Sequence, residues 1–305
     1  MRGSIQKACI AIRRRLSPDA GSPCIPVPEY LEARSAGRID VQTAFCTTLI
    51  LRNGVSKMTT AHRMDDLLPI IVSYCGKLGQ NPLRVLDVAC SAGVSTVELH
   101  NALVAAGLHA QTFGTDLLMY ANYVVDPRGV GVLLDHDGCF LQIDIGPWAS
   151  SWQWRRRDIV FRPRLSFVAR RLIASDLNRF RAALDRPAAG YGVSRVPLLA
   201  SLTDGIPDVH FQEENLLDPI IPGQFSLIRA ANILNRAYFD DAGIKRMGRA
   251  LSVRLAINGL LLVARTEPSN INVGTLFIRQ HNGLKVLQQI NGGSEAEDIL
   301  ASIKV

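Results

Sequence analysis

Small residues follow an apolar segment at one point of the chain, in a pattern that can hold a nucleoside. The segment Ala89–Gly93 lies between the apolar run Leu83–Val88 and Ser95–Ala106, whose spacing is helical. Small side chains let a ligand approach the backbone closely, and the free N–H groups at a helix start bind polar ligand atoms. Asp116, twenty-three positions after Gly93, ends the next predicted strand, where an acid accepts hydrogen bonds from ribose hydroxyls.

The composition of this loop distinguishes between classes of nucleotide. A dinucleotide-binding turn carries G-x-G-x-x-G, whereas Ala89–Gly93 contains a single glycine. The sequence therefore argues against a pyrophosphate cradle, and so against NAD or FAD. Asp87, near the end of the preceding strand, and the small-residue loop together suit S-adenosylmethionine, which has no phosphate. From these residues alone, the alternative is an ordinary strand–turn–helix crossover with a small-residue turn.

Strands alternate with helices along much of the chain, and these elements must position the loop and Asp116. Apolar runs predict seven strands, at Leu83–Val88, Thr112–Asp116, Val209–Phe211, Gln224–Ala230, Leu260–Ala264, Thr275–Gln280 and Leu284–Ile290. The alternation predicts an α/β fold with a Rossmann-like, mostly parallel sheet. The Asn-Gly turn within His281–Gly283, between the last two runs, predicts an antiparallel terminal hairpin.

A long insertion, at about 123–206, separates the second and third predicted strands. It begins with a predicted hairpin of Val130–Leu134 and Cys139–Ile145. Apolar residues then recur at helical spacing, at Leu165, Val168, Leu172, Phe180 and Leu184. We therefore expect a partly irregular N-terminal segment at 1–58, with a linker at Cys24–Pro28, and a Rossmann-like domain at 59–305 that carries the insertion as a cap.

The composition excludes some protein classes and places the positive charge within the insertion. With 48% hydrophobic and 20% charged residues, a disordered chain is excluded, and no apolar run reaches the roughly eighteen residues of a membrane span. The segment from Trp148 to Arg186 holds ten Arg, three Asp and no Lys, and its net charge of +7 equals that of the whole chain. These arginines, with three tryptophans, suit an acidic partner or a membrane surface; a solvated helix face is the alternative.

Residues that commonly ligate metals are spread without ligand spacing. The six cysteines form no C-x-x-C pair and no Cys/His cluster, so we expect reduced thiols in a cytoplasmic protein and no zinc site. Asp135–Gly138 begins like a calcium loop, but the last position of the twelve-residue pattern holds Gly146, which has no side chain to coordinate a cation. The sequence therefore predicts no bound metal.

Several short motifs, in this order and spacing, resemble the class I S-adenosylmethionine-dependent methyltransferases. The similarity is greatest to the CheR-type group, named for chemoreceptor glutamate methyltransferases, and covers about residues 59–300. Val88–Gly93 is similar to the group's A-C-S-T-G loop, and Asn215–Asp218 is similar to its N-L-L-D segment. Arg229–Leu234, followed by Tyr238 and Phe239, resembles its C-R-N-V-L-x-Y-F segment.

The resemblance implies a role for each matched residue. The residues implied to bind the cofactor are Asp87, Ala89, Cys90, Ser91, Gly93, Asp116, Asn215, Leu216, Ala231 and Asn232. Among these, Asp116 would hold the ribose, and Asn215 and Leu216 would lie at the adenine. The resemblance also implies two catalytic residues: Arg63, near the transferred methyl group, and Tyr238, beside the methyl acceptor.

The chain departs from the CheR-type pattern directly after the loop. That group carries acids there, whereas this chain has Val94 and Ser95. Unless Glu98 or Asp87 substitutes, the acid that would pair with the cofactor's amino group is missing. The insertion is also foreign to the chemoreceptor enzymes, so we expect it to select a different acceptor.

The predicted chemistry is an in-line displacement at an activated sulfonium methyl group, which requires mainly positioning by the protein. A carboxylate acceptor needs no general base, and none of the histidines His62, His136 and His210 lies in a recognisable motif. This favours O-methylation of a carboxylate. Two alternatives stay open: a methyltransferase-fold binding protein without catalysis, and a nucleic-acid methyltransferase. The second is disfavoured because no Asn/Asp-Pro-Pro-aromatic motif follows the fourth strand.

Overall fold

A computed structural model describes residues 24–51, 54–57, 60–153, 171, 173–186 and 189–304. The chain divides into two compact units. One, the seven-stranded unit, comprises 60–117 and 203–305; the other, the five-stranded unit, comprises residues up to 59 and 118–202. No helix in the described part of the chain is both long enough and apolar enough to cross a membrane.

The sheet of the seven-stranded unit is mostly parallel. Its strands are β1 (Leu83–Val88), β2 (Ala110–Asp116), β8 (Val209–Glu213), β9 (Phe225–Ala231), β10 (Leu255–Thr266), β11 (Asn272–Gln280) and β12 (Gly283–Ile290). They lie in the order β12-β11-β10-β9-β1-β2-β8, so that the five parallel strands follow the 3-2-1-4-5 order of doubly wound nucleotide-binding folds. β11 runs antiparallel to both β10 and β12. The predicted fold class and its terminal hairpin are confirmed.

Helices cover both faces of this sheet because the buried strand residues alternate between the faces. On one face, Val85 and Leu227 pack with α3 (Leu68–Cys75) and α4 (Val94–Ala105). On the other face, Leu86 and Ile228 pack with apolar residues of α6 and α7, the helices Asp241–Arg254 and Glu297–Ala301. Helix α4 ends one residue before its predicted end, and the left-handed Gly107 follows it, at φ 76°. This layering places the loop after β1 at the carboxyl edge of the sheet.

The five-stranded unit contains more structure than the sequence pattern predicts. Its antiparallel sheet has the order β6-β5-β4-β3-β7. The strands are β3 (Tyr120–Val125), β4 (Val130–Leu134), β5 (Phe140–Ile145), β6 (Trp148–Ser151) and β7 (Gly192–Pro197). The predicted hairpin of β4 and β5 is confirmed. Strands β3 and β7 were missed, β7 because four of its six residues are exposed and show no alternating burial.

A helix of the insertion packs on this second sheet. Helix α5 (Leu177–Asp185) buries Phe180 and Ala183 against β3, β4 and β5. The predicted helical residues Leu165, Val168 and Leu172, with Trp154 and most of the arginines, lie outside the described residues. Of the described arginines, Arg179 pairs with Asp176, and Arg181 donates to the Gly138 carbonyl oxygen. These two arginines are therefore bound within their own unit.

Two helices precede this sheet in the chain and belong to the same unit. They are α1 (Val27–Ser35) and α2 (Ile39–Thr48). Residues 24–26 have no regular structure, but α1 includes the last two residues of the predicted linker Cys24–Pro28. That part of the prediction was wrong because proline is compatible with the first helical turn, where its missing N–H has no intrahelical partner. The Val27 backbone N–H donates to Asp144 (2.7 Å), and the Tyr30 hydroxyl donates to the Pro197 carbonyl oxygen (2.7 Å).

No disulfide joins the cysteines in the described part of the chain. They are Cys24, Cys46, Cys75, Cys90 and Cys139. Burial raises the pKa of Cys46 to about 11 and that of Cys75 to about 12. Both side chains therefore stay protonated at neutral pH and act as small core residues.

Candidate functional site

The loop after β1 adopts an unusual backbone conformation. Ala89, Ser91 and Gly93 all have left-handed φ angles, of 56°, 57° and 79°. For a residue with a Cβ atom this region costs roughly 1–2 kcal/mol, so Ala89 and Ser91 are strained. The loop is fixed by a hydrogen bond from the Cys90 N–H to the Thr115 carbonyl oxygen, at 2.9 Å. Strain of this kind concentrates at ligand sites, where the surrounding structure enforces it.

The acid predicted to hold a ribose lies directly beside this loop. Asp116 ends β2, which pairs in parallel with β1, and its Oδ2 accepts a hydrogen bond of 2.8 Å from the Ser91 backbone N–H. The structure thus brings together two of the predicted cofactor residues. Carboxyl ends of neighbouring parallel strands share one edge of a sheet, which is why the sequence pattern could anticipate this proximity.

The space at Gly93 is used for packing. A Cβ atom on Gly93 would lie 2.8 Å from Phe211 Cε1 and 2.8 Å from Thr203 Cγ2, and one on Gly114 would lie 2.6 Å from the same Phe211 atom. The absence of a side chain at Gly93 therefore admits the Phe211 ring from β8. The predicted contact of a cofactor with the Gly93 backbone stays a prediction.

Both carboxylate oxygens of Asp87 accept hydrogen bonds from buried side chains. Its Oδ1 accepts from Arg229 Nε (2.8 Å) and its Oδ2 from Arg229 Nη2 (2.6 Å), and the Thr96 hydroxyl also donates to Oδ2. Both side chains are at most 2% exposed. Burial alone lowers the pKa of Arg229, but the charge and hydrogen bonds of Asp87 outweigh burial and hold that pKa above its ordinary value. Asp87 therefore supports the loop from below, and its predicted direct contact with a cofactor is not supported.

Three polar atoms around this ion pair are buried without a hydrogen-bond partner among the described residues: Ser91 Oγ, Glu98 Oε2 and Arg229 Nη1. Other polar atoms of Glu98 and Arg229 do have partners. Glu98 Oε1 accepts from the His62 backbone N–H at 2.8 Å, and Arg229 Nη2 lies 3.1 Å from Ser95 Oγ. Buried polar atoms are nearly always hydrogen-bonded, because leaving one unsatisfied costs about 1–3 kcal/mol. Ser91 lies in the loop, Glu98 in α4 and Arg229 in β9, so three elements at this end of the sheet each leave a polar atom available to a ligand or to ordered water.

A hydrogen-bond network joins the carboxyl ends of β9 and β10 to the segment before α3. Asn232 is left-handed at φ 60°, and its Oδ1 accepts from the Thr266 backbone N–H at 2.9 Å. The Thr266 hydroxyl accepts from Arg63 Nε at 3.0 Å and donates to Asn272 at 2.7 Å. Thr266 therefore connects two predicted site residues, Arg63 and Asn232. Ala231, a third, is the last residue of β9 and immediately precedes Asn232.

Arg63 presents its terminal nitrogens for further contacts. Its Nε is bound to Thr266, while its two Nη atoms make no hydrogen bond to any residue that the structure describes. Partial burial lowers the pKa of Arg63, and Tyr238 lies close enough to act on that pKa electrostatically, in the opposite direction. Tyr238 itself is 53% exposed. The two predicted catalytic residues therefore interact electrostatically, and a guanidinium with unoccupied nitrogens is suited to an anionic group.

The residues predicted to contact adenine lie at the same edge of the sheet but have local roles. The Glu214 backbone N–H donates to the Asp116 carbonyl oxygen at 3.0 Å, which places the following segment beside Asp116. Asn215 Oδ1 accepts from the Leu217 N–H and closes a turn. Leu216 is partly buried against the core on the α6 face. Within the described chain, no hydrogen bond joins Asn215 or Leu216 to the Ala89–Gly93 loop.

Three potential metal ligands also meet near the site. One ligand atom from each of His62, Asp65 and Glu98 lies within 4.8 Å of the other two. His62 Nδ1 is 2.8 Å from Asp65 Oδ2, and this hydrogen bond raises the pKa of His62. Because His62 and Asp65 are exposed and satisfy each other, their arrangement is accounted for by an ion pair.

Comparisons with known proteins add a resemblance in fold. No protein-family model matches the chain, and no curated protein matches it. Among solved structures, the chain is similar to the N-methyltransferase NodS from Bradyrhizobium japonicum WM9 (12% identity, TM-score 0.33), over 73% of this chain and 71% of NodS. It is also similar to an S-adenosylmethionine-dependent methyltransferase from Clostridium acetobutylicum (12%, 0.32), over 79% and 78%.

A third similar structure, the citrinin polyketide synthase CMeT domain, has 16% identity and a TM-score of 0.32. The match covers 66% of this chain and 34% of the CMeT chain. This chain therefore spans about a third of the length of that structure. At such identities and TM-scores the likeness carries no argument about activity. The assignment to a Rossmann-like fold rests on the strand order of the sheet itself.

Proposed function

We propose that this chain is an S-adenosylmethionine-dependent methyltransferase. The observation that carries the proposal is the hydrogen bond between Asp116 Oδ2 and the Ser91 N–H, which joins the two predicted cofactor elements at the carboxyl edge of the sheet. The strand order reverses between β1 and β9, and folds of this kind bind ligands in the crevice at that reversal. The loop after β1 lies at this point.

The residues around the loop fit such a cofactor. Asp116 would accept hydrogen bonds from the ribose hydroxyls, and the unpartnered Ser91 Oγ would bind a polar atom beside it. The cofactor supplies a methyl group already activated on a sulfonium. The protein's own residues then orient the cofactor and acceptor and exclude water.

For the acceptor we propose a carboxylate, as in the CheR-type group. Arg63 offers a guanidinium group with both Nη atoms unpartnered among the described residues, and Tyr238 acts electrostatically on its pKa. A planar guanidinium pairs with a carboxylate through two parallel hydrogen bonds. A carboxylate is already ionised near neutral pH, so no general base has to remove a proton before the transfer.

Calorimetric titration with S-adenosylhomocysteine tests the cofactor assignment. We expect Asp116→Asn to weaken binding by about tenfold to a hundredfold, because hydrogen bonds to a charged group contribute about 1.5–3 kcal/mol. Asp298→Asn, which removes an exposed charge on α7, is the matched control and should bind like the parent chain. If the parent binds neither S-adenosylmethionine nor its demethylated product at millimolar concentration, the proposal is wrong.

Base-labile methyl groups test the acceptor class. Methyl esters of carboxylates release methanol in alkali, whereas methylated amines do not. If the labelled methyl groups are found only in products that are stable in alkali, carboxylate methylation is contradicted. The cofactor assignment would remain intact in that case.

A further inference from the structure

Asn272, the first residue of β11, holds its side-chain amide in one defined orientation. The side chain is 2% exposed, and its Nδ2 donates to the Arg63 carbonyl oxygen at 2.7 Å and to Asp66 Oδ1 at 2.6 Å. A carbonyl oxygen and an ionised carboxylate can only accept hydrogen bonds, so Nδ2 must lie on that side. Asn272 Oδ1 therefore faces Thr266, whose hydroxyl lies 2.7 Å away.

The orientation of Asn272 decides the direction of the Thr266 hydroxyl. Because Oδ1 of an amide can only accept, the single hydroxyl hydrogen of Thr266 is used in this hydrogen bond. The Thr266 oxygen has lone pairs left, and it accepts from Arg63 Nε at 3.0 Å. The Thr266 backbone is fixed as well, because its N–H donates to Asn232 Oδ1 at 2.9 Å. The hydrogen bonds thus run in one direction, from Arg63 through Thr266 to Asn272.

This arrangement holds Arg63 at both its backbone and its side chain. The Arg63 carbonyl oxygen accepts from Asn272, and Nε donates to Thr266. A guanidinium group is planar and rigid, so a hydrogen bond at Nε limits the positions that the two Nη atoms can take. Within the described chain, those Nη atoms have no hydrogen-bond partner and no acid pairs with Arg63. The guanidinium is therefore anchored at one nitrogen and open at the other two.

We propose that Thr266 is a positioning residue for Arg63, an inference that rests on the proposed function. The Thr266 hydroxyl, oriented by Asn272, holds Nε and leaves both Nη atoms for the carboxylate of the acceptor. An arginine side chain loses rotamer freedom when it binds a ligand, and one that is already held loses less. Thr266 therefore strengthens carboxylate binding through Arg63, without a contact of its own to the acceptor.

Acetate binding to the protein saturated with S-adenosylhomocysteine tests this role. Acetate carries the carboxylate without the rest of an acceptor, and isotope-labelled arginine makes the Arg63 Nε–H group visible by NMR. Arg63→Lys assigns that resonance by removing it. We expect acetate to shift the resonance in the parent, and the titration gives the dissociation constant.

Two substitutions at Thr266 separate the effect of its hydroxyl from that of its size. Thr266→Val removes the hydroxyl but keeps a similar size, and it should weaken acetate binding by about threefold to tenfold, as expected for one hydrogen bond. The Arg63 Nε–H should also exchange faster with water. Thr266→Ser retains the hydroxyl and should restore the affinity to within about twofold of the parent. In both variants the affinity for S-adenosylhomocysteine should stay within about twofold, because Arg63 serves the acceptor.

Thr275→Val is the matched control. Thr275 is fully buried, and its hydroxyl also connects a donor to an acceptor: Oγ1 accepts from the Ser294 backbone N–H at 2.8 Å and donates to Glu297 Oε2 at 2.6 Å. No arginine takes part in these two hydrogen bonds. Thr275→Val should therefore lower the urea midpoint, as Thr266→Val does, and leave the affinity for acetate within about twofold of the parent.

The outcomes distinguish this inference from the proposed function. A loss of acetate affinity in Thr266→Val that Thr266→Ser restores and Thr275→Val does not share supports the inference. Unchanged acetate affinity in Thr266→Val, a loss that Thr266→Ser does not restore, or an equal loss in Thr275→Val overturns it while the proposed function stands.

Two results in the parent chain reach the proposed function itself. If the parent binds S-adenosylhomocysteine but acetate does not shift the Arg63 resonance, the carboxylate acceptor and this inference fail together, and the cofactor assignment stands. If the parent does not bind S-adenosylhomocysteine, the proposed function fails and the inference fails with it.

Discussion

Two buried ion pairs in the seven-stranded unit have similar burial but different surroundings. Glu214 is bound by Arg254 through both oxygens, and its Oε2 also accepts from the backbone N–H groups of Ile220 and Ile221. That pair closes a turn after β8 with every carboxylate oxygen satisfied. Its arginine keeps a single unpartnered nitrogen, Nε, among the described atoms.

The Arg229–Asp87 pair also keeps one unpartnered arginine nitrogen, Nη1, but further unpartnered atoms lie in neighbouring elements. Ser91 Oγ in the loop after β1 and Glu98 Oε2 in α4 are both buried without a partner within the described structure, and two strained residues lie in the loop. The contacts of the Arg254–Glu214 pair are accounted for within the fold. For the Arg229–Asp87 pair we propose a second role, the support of a loop that binds a ligand.

Removing Glu214 should give the largest loss of stability. Glu214→Ala leaves the buried Arg254 without its partner, and breaking a buried pair in this way costs about 3–5 kcal/mol. We expect the free energy of unfolding in urea to fall by that amount. The affinity of the remaining folded protein for S-adenosylhomocysteine should be unchanged; a parallel loss of affinity would erase the distinction between the two pairs.

Asp87→Asn should affect both stability and binding. The amide oxygen still accepts one hydrogen bond from Arg229, so the loss of stability should be near the lower limit, about 3 kcal/mol. The loop above it loses its support, and saturating S-adenosylhomocysteine should raise the melting temperature less than it does in the parent. A ligand-induced shift equal to the parent's would show that the pair is only structural.

Relief of loop strain should give the smallest effect. Ala89→Gly removes a left-handed penalty of roughly 1–2 kcal/mol and adds an entropic cost of roughly 0.5–1 kcal/mol, so the unfolding free energy should rise by up to about 1.5 kcal/mol. Ala92 does not have a left-handed φ angle, so Ala92→Gly adds only the entropic cost and should lower the unfolding free energy. Equal destabilisation in both variants would mean that Ala89 carries no strain.

The strands and the position of Asp116 could be predicted because their signals are local. Apolar runs locate β1, β9 and β10, and the Asn-Gly turn locates the hairpin of β11 and β12. The meeting of Asp116 with the Ala89–Gly93 loop follows from the rule that neighbouring parallel strands end at one edge. Neither inference requires knowledge of a distant side-chain contact.

The ion pair below the loop could not be predicted in this way. Asp87 and Arg229 are 142 positions apart, and only the folded sheet brings them together. A signal was present: Arg229 lies within the apolar strand Phe225–Ala231, and a buried arginine requires a partner. The unpartnered oxygen of Glu98 is likewise visible only after its surroundings are complete.

The hydrogen bond from the Ser91 N–H to Asp116 has a consequence for binding kinetics. It preorganises the loop before a ligand arrives, so association requires little further ordering of the backbone. Affinity differences among nucleoside ligands should then lie mainly in their dissociation rates. The same bond should slow hydrogen exchange at the Ser91 amide in the free protein, which makes this wall of the crevice a rigid template.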